Sequence, residues 1–172
     1  DCPPIGGRRW AALARDALLR ASEGFAAAGD DAHRYSCLAL VISSYSFNGA
    51  AKDSLQDVLQ KYVTPSDYDR LRGADARGHF AFAVFAALLI LEPGHLDFAL
   101  WEKRTLEALD KVSDKWVAVR IFTWLAIHSF YSGNYKRLLA LGVRASQLTS
   151  ATALSPYARY LSYFGVLFIA MV

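Results

Sequence analysis

Residues 114–150 read DKWVAVRIFTWLAIHSFYSGNYKRLLALGVRASQLTS, and this stretch decides the fold class. From Trp116 to Tyr131 apolar side chains occupy almost every position. The run is too long for a strand and shows no sustained period-two alternation, so it reads as a helix buried nearly all round. Gly133-Asn134 then supplies residues that tolerate the left-handed conformation ending a helix. The next segment differs in character: Lys136 and Arg137 lie on one side and Leu138, Leu139 and Leu141 recur at helical steps, the pattern of a helix with one wet face.

Working outward, the same alternation covers the chain. Helices are predicted over 8–28, 31–47, 53–63, 75–91, 96–111, 114–131, 134–149 and 156–172, with a short helical turn over 65–72. Gly29-Asp30, Asn48-Gly49, Pro93-Gly94 and Gly133-Asn134 are the stops. Asp53, Thr64 before Pro65, Ser113, and Ser155 before Pro156 are the starts, each offering a capping oxygen. Breaks near 29, 73, 113 and 152 interleave with breaks near 48, 93 and 133, so each helix pair takes about forty residues. Ser46-Phe47-Asn48-Gly49 echoes Phe130-Tyr131-Ser132-Gly133. The helices opening at 75, 114 and 156 are aromatic and aliphatic nearly all round, whereas those at 53, 96 and 134 carry charges on one side. The expected architecture is all-α, a right-handed α-solenoid of about four helix pairs forming one domain over 1–172, in which each pair buries its apolar side only against its neighbours.

Composition agrees. A hydrophobic content of 54% with 20% charged residues and only 11 Gly and 5 Pro describes an ordered globular chain. Residues 1–114 hold all 16 carboxylates, while 115–172 carry Lys115, Arg120, Lys136, Arg137, Arg144 and Arg159 and none. That skew predicts either a solvated basic face or one that meets an acidic neighbouring segment, and no recognition-helix module suggests direct nucleic-acid binding. Two cysteines, Cys2 and Cys37, without metal-type spacing fit a reducing compartment, and with no signal peptide legible the cytoplasm is expected. The apolar stretches 80–91 and 160–172 are each too short to span a bilayer and are expected to be buried in protein. The apolar end Phe168-Ile169-Ala170-Met171-Val172 points to a fragment of a longer chain.

The sequence offers no catalytic, cofactor or metal motif that survives inspection. Gly73-Ala74-Asp75-Ala76-Arg77-Gly78-His79-Phe80 lacks the Lys and the hydroxyl of a phosphate-binding loop and reads as a helix entry. Asp67-Tyr68-Asp69 starts like a calcium loop, but Leu71 takes the next ligand position. His33, His79, His95 and His128 are scattered, with no zinc spacing, and His128 reads as a hydrogen-bonded histidine of the core or a groove. The aromatic side chains Trp101, Trp116, Trp124, Phe122, Phe130, Tyr131 and Tyr135 are mainly core, and a recognition groove including Trp101, Arg104 and Tyr135 is the remaining candidate site.

Three stretches carry a family resemblance: 21–30 (ASEGFAAAGD), 83–95 (AVFAALLILEPGH) and 101–109 (WEKRTLEAL), followed by Phe130-Tyr131-Ser132-Gly133-Asn134-Tyr135 and the start at Leu154-Ser155-Pro156. In this order the chain resembles the tetratricopeptide-like helical region of large bacterial transcriptional regulators, including the ATP-dependent maltose-regulator type and activators with a bacterial transcriptional activation domain. It departs from strict tetratricopeptide repeats in its longer repeat, in lacking the Trp-x2-Leu-Gly signature and in the long connection from 64 to 75. The resemblance implies a non-enzymatic signal-transduction module that binds a small effector or protein partner beside adjacent domains of a longer chain. The alternative expectation is homo-oligomerisation, a homodimer joined through apolar ends.

Overall fold

A computed structural model describes residues 5–48 and 52–150. Among the described residues there are eight helices and no strand: α1 (Ile5–Ala27), α2 (Asp31–Asn48), α3 (Lys52–Tyr62), α4 (Pro65–Arg70), α5 (Ala74–Leu91), α6 (Phe98–Leu109), α7 (Lys115–Tyr131) and α8 (Tyr135–Ser150). The chain is all-α, as the periodicity predicts. The expected helix 156–172, its Ser155-Pro156 start and Gly49 lie outside the described residues.

The arrangement reflects which helices can show a wet face. α5 buries Gly78 and every residue from Phe80 to Leu88, and α7 buries most positions from Val117 to Ala126. Helices so apolar need protein on several sides. α5 receives it from α2, α6 and α7, with α3 and the short α4 also against it, while α1 packs on α2 and α8 on α7. By length and composition α5 could cross a membrane, but most of it is enclosed by these neighbours. The aromatic side chains Tyr35, Phe80, Phe82, Phe85, Trp101 and Phe122 form the centre of a continuous core.

The connections use short-range chemistry. At the ends of α1 and α7 the same backbone motif appears: Asp30 N–H donates to Phe25 C=O (2.9 Å) and Asn134 N–H to Ser129 C=O (2.8 Å). Gly29 (φ 71°) and Gly133 (φ 69°) take the left-handed turn between. The residue after each glycine then caps the next helix, with Asp30 Oδ1 accepting from His33 N–H (3.2 Å) and Asn134 Oδ1 from Arg137 N–H (3.2 Å). α5 ends at Leu91, as expected before Pro93-Gly94, although Gly94 is not left-handed, and α6 starts at Phe98, two residues later than expected. One expected cap is corrected. Asp114, not Ser113, caps α7, accepting from Trp116 N–H (2.7 Å) and Val117 N–H (3.3 Å). Ser113 is engaged elsewhere: its N–H (2.7 Å) and hydroxyl (2.6 Å) donate to Asp75 at the start of α5, as does Asp114 N–H (2.9 Å). These donors hold the Asp75 carboxyl below its ordinary range.

The long connection between α3 and α5 is pinned by a buried carboxylate. Asp67 accepts from Thr64 N–H (2.6 Å) and the Thr64 hydroxyl (2.9 Å), and also from the buried Tyr35 hydroxyl of α2. Burial and this carboxylate push the Tyr35 phenol upward, so it stays a donor. Arg77 completes the attachment by donating from Nε to Leu71 C=O (2.7 Å).

Two measurements test this packing. A Cβ at Gly78 would collide with Val112 Cγ1, whereas nothing lies within 4 Å of one at Gly24. Urea unfolding of Gly78→Ala is expected to show a loss of about 1–3 kcal/mol from overpacking, and Gly24→Ala a gain of about 0.5–1 kcal/mol from helix propensity. Equal effects would refute the close approach of α5 to the α6–α7 connection at Val112. In the same assay Tyr35→Phe is expected to cost about 1–3 kcal/mol, because it strips a donor from the buried Asp67.

Candidate functional site

Three of the cavities among the described residues are large enough to hold a ligand. The one with converging polar groups lies between α3 and the start of α6, with α5 as its floor, and encloses about 550 Å³. That is within the range of about 300–1,000 Å³ typical of ligand pockets. Its floor is apolar: Val84, Leu88 and Leu91 of α5, one helical face, with Leu59 and Val63 of the α3 segment and the indole of Trp101 beside them. Its rim is polar. Asp53, Gln56 and Gln60 repeat at helical spacing on α3, and Glu92, His95 and Asp97 come from the α5–α6 connection. His95 Nδ1 accepts the Asp97 N–H (3.1 Å), which fixes the ring and leaves Nδ1 without a proton in that arrangement.

The second cavity, about 430 Å³, sits where α5 and α7 end and is nearly all apolar, lined by Leu89, Ile90, Trp124, Ile127, His128 and Tyr131 among others. The third, about 660 Å³, lies between the α1–α2 turn and Arg70 and Arg72 and is lined by charges of both signs, Asp30 and Asp31 with the two arginines.

Of the expected groove residues, Trp101 and Arg104 come together and Tyr135 stands apart. Trp101 is 2% exposed and meets Tyr68 and Phe80 edge-on (6.1 and 5.7 Å between ring centroids). Arg104 lies over the rings of Tyr68 (4.5 Å) and Trp101 (5.0 Å) and pairs with Asp69 (3.3 Å). This stack fastens α6 to α4 and sets the pocket's Trp101 wall. Arg104 itself is not in the lining, and Tyr135 opens α8, 47% exposed. Sequence reasoning did not single out the rim carboxylates and glutamines. Asp53, Gln56 and Gln60 form a legible polar stripe, but that it borders a cavity depends on the separation of α3 from α6, which no local pattern carries.

The basic C-terminal half meets acidic segments. Arg137 Nη1 of α8 lies 2.7 Å from Glu102 Oε1 of α6, and Arg144 pairs with Asp110. Glu102 Oε1 also lies 2.7 Å from His128 Nδ1 of α7, and Arg137 Nε donates to Ser129 Oγ (2.8 Å). His128 and Arg137 hold the Glu102 carboxyl below its usual range, against the opposing effect of burial. Phe85 and Phe98 pack edge-on against the His128 ring (5.7 and 5.2 Å), making it a hydrogen-bonded histidine of the core. The cluster joins three helices. Its histidine nitrogen is shared between Glu102 and Arg137 (3.0 Å to Nη2), which leaves Nδ1 no position for substrate chemistry.

Among the described residues no group of three or more His, Cys, Asp or Glu side chains could hold a metal ion. Cys37 is a half-buried free thiol whose pKa burial raises, disfavouring the thiolate. The chain matches no family model, no curated protein and no solved structure.

One buried titratable group has a readable consequence. The His79 ring stacks on Phe82 (5.7 Å, 7° between planes), with Arg120 Nη1 3.3 Å from its Nε2. Burial, then the Arg120 charge, depress its pKa from 6.5 to about 4. Above pH 6.5 the ring is neutral folded or unfolded. Between pH 6.5 and about 4 the unfolded chain takes up a proton that the folded chain refuses, so stability falls by up to about 1.4 kcal/mol per pH unit. Asp75 and Glu102, whose pKa values are lowered, lose their contribution only at the acid end of that range and below it. Denaturant unfolding of His79→Gln is therefore expected to decline less than the parent between pH 6.5 and 5, and parallel declines would contradict the depressed pKa.

Proposed function

We propose that this chain is a non-enzymatic, tetratricopeptide-like helical-repeat module whose binding site is the pocket between α3, α5 and α6. The observation that carries the reading is the pocket itself: an apolar floor supplied by the most buried helix, with polar groups from two separate segments converging on its rim. The repeat reading is supported by the succession in which α2 packs on α5 and α5 on α7, the last two strongly apolar, while α1, α6 and α8 keep exposed sides. A right-handed α-solenoid of helix pairs produces such a succession and leaves grooves between neighbouring pairs. Given the resemblance of its sequence, the module fits the helical arm of a bacterial transcriptional regulator, cytoplasmic, where a bound effector or protein partner is signalled to adjacent domains. The polar groups found close together, Glu102, His128 and Arg137, hold helices to one another, which favours binding over catalysis.

Homo-oligomerisation is the second reading, favoured by one feature. Tyr131, Tyr135, Leu139 and Val143 recur every fourth residue across the end of α7 and along α8 and are 75%, 47%, 55% and 61% exposed. On α8, Tyr135, Leu139 and Val143 fall on one helical face, and exposed apolar side chains in such a row suit a partner helix.

Native mass spectrometry of the purified chain separates the two. The expected result is a reproducible added mass that is retained in Leu139→Asp and lost in Gln60→Trp, a substitution at a rim position that blocks the pocket without touching the core. A dimer without added mass that Leu139→Asp dissociates would overturn the pocket reading in favour of assembly.

A further inference from the structure

The pocket lining also specifies a ligand chemistry. Three carboxylates, Asp53, Glu92 and Asp97, stand on its rim, and no Lys or Arg is among its described lining residues. Elsewhere the described carboxylates of the helix bundle are widely used: Asp69 with Arg104, Glu102 with Arg137, Asp110 with Arg144, and Asp75 with the Ser113 and Asp114 backbone. The three rim carboxylates have neither an ion pair nor a side-chain hydrogen bond among the described residues. The remaining rim groups do not offset their charge. Gln56 and Gln60 are neutral, and His95 Nδ1 is engaged by the Asp97 backbone N–H. Like charges gathered at the mouth of a low-dielectric cavity reinforce one another's field and raise the local concentration of the opposite charge.

We infer that this pocket takes a small organic cation: an ammonium or amidine-type nitrogen at the rim, on an apolar body that rests on Val84, Leu88, Leu91 and Trp101. The inference rests on the reading of this pocket as the binding site and adds the class of its ligand. The size of the cavity favours a small molecule over a peptide, since about 550 Å³ holds one compact apolar body, whereas an extended peptide would need a continuous groove. Anions are disfavoured by the field, and neutral molecules gain nothing from it.

Three probes with a common phenethyl body separate these effects: phenethylamine, phenethyl alcohol and hydrocinnamate, each titrated into the full chain by isothermal calorimetry at low and high salt. The amine is expected to bind about tenfold tighter than the alcohol, and the acid more weakly than either, with the amine's advantage shrinking as salt rises. In the combined variant Asp53→Asn, Glu92→Gln, Asp97→Asn the amine's advantage over the alcohol, and its dependence on salt, should vanish. All binding should vanish in Gln60→Trp. If amine and alcohol bind equally and Gln60→Trp abolishes both, the pocket reading survives and the cation inference is overturned. If Gln60→Trp leaves all three probes unaffected, the pocket reading itself falls. No amine binding at millimolar concentration, or binding of a blocked lysine tripeptide in preference to the amine, also overturns the inference.

Discussion

Helix α5 must hide nearly everything it carries. Between Phe80 and Leu88 it presents three phenylalanines, Val84 and Leu88 with alanines between them, all buried, so almost every direction around this part of its axis is covered by protein. At about 25 cal/mol per Å² of apolar surface, exposing even one of its faces would cost several kcal/mol, comparable with the whole stability of a domain. The helix consequently dictates its surroundings. α2, α6 and α7 are recruited against it, and the alanines at 81, 83, 86 and 87 let them approach closely. Gly78 takes this furthest, because the side chains of Val112, Val117 and Ile121 crowd the place its Cβ would take.

Charge then fixes what apolar packing leaves free. Hydrophobic contact is non-directional, and α8 could slide or rotate on α7 with little loss. Arg137 and Arg144 of α8 reach across to Glu102 of α6 and to Asp110 at its end, two anchors about two turns apart on each side. The His128 ring, held between Phe85, Phe98 and Glu102, ties the same junction to the core. Exposed pairs contribute little to stability, and Arg144 with Asp110 belongs with them. The half-buried Glu102 cluster is the one that sets register.

The fold class was legible because it is written in local terms. Gly29-Asp30 and Gly133-Asn134 stop and restart helices by backbone rules that act over a few neighbouring residues, and the all-round apolar character of 75–91 and 114–131 announces burial without naming a partner. Errors came where a local rule had two solutions. Ser113 and Asp114 are both good caps, and the choice fell to Asp114 because Asp75, distant in sequence, takes the Ser113 N–H and hydroxyl. Pro93-Gly94 marked the end of α5 at Leu91 correctly, but the helix stops without a left-handed residue there. Trp101 and Arg104, one turn apart on one helix, pack together, whereas Tyr135 was joined to them on aromatic character alone and lies on α8, because character does not encode position.

The pocket arises from the same constraint that shaped the core. The α5 face formed by Val84, Leu88 and Leu91 needs cover, and α3 and α6 supply it from either side. Yet the connection from α3 is drawn away: Asp67 on α4 is bound to Tyr35 of α2, Arg77 fastens Leu71, and Arg104 lies against both Tyr68 and Trp101. With both ends of that connection committed elsewhere, α3 and α6 leave a gap over the floor of α5. Water must occupy it or a ligand must displace that water, and an apolar floor favours the ligand. A polar connection buried for structural reasons thus leaves an apolar floor open where the neighbouring helix ends bring together three carboxylates that no described side chain neutralises.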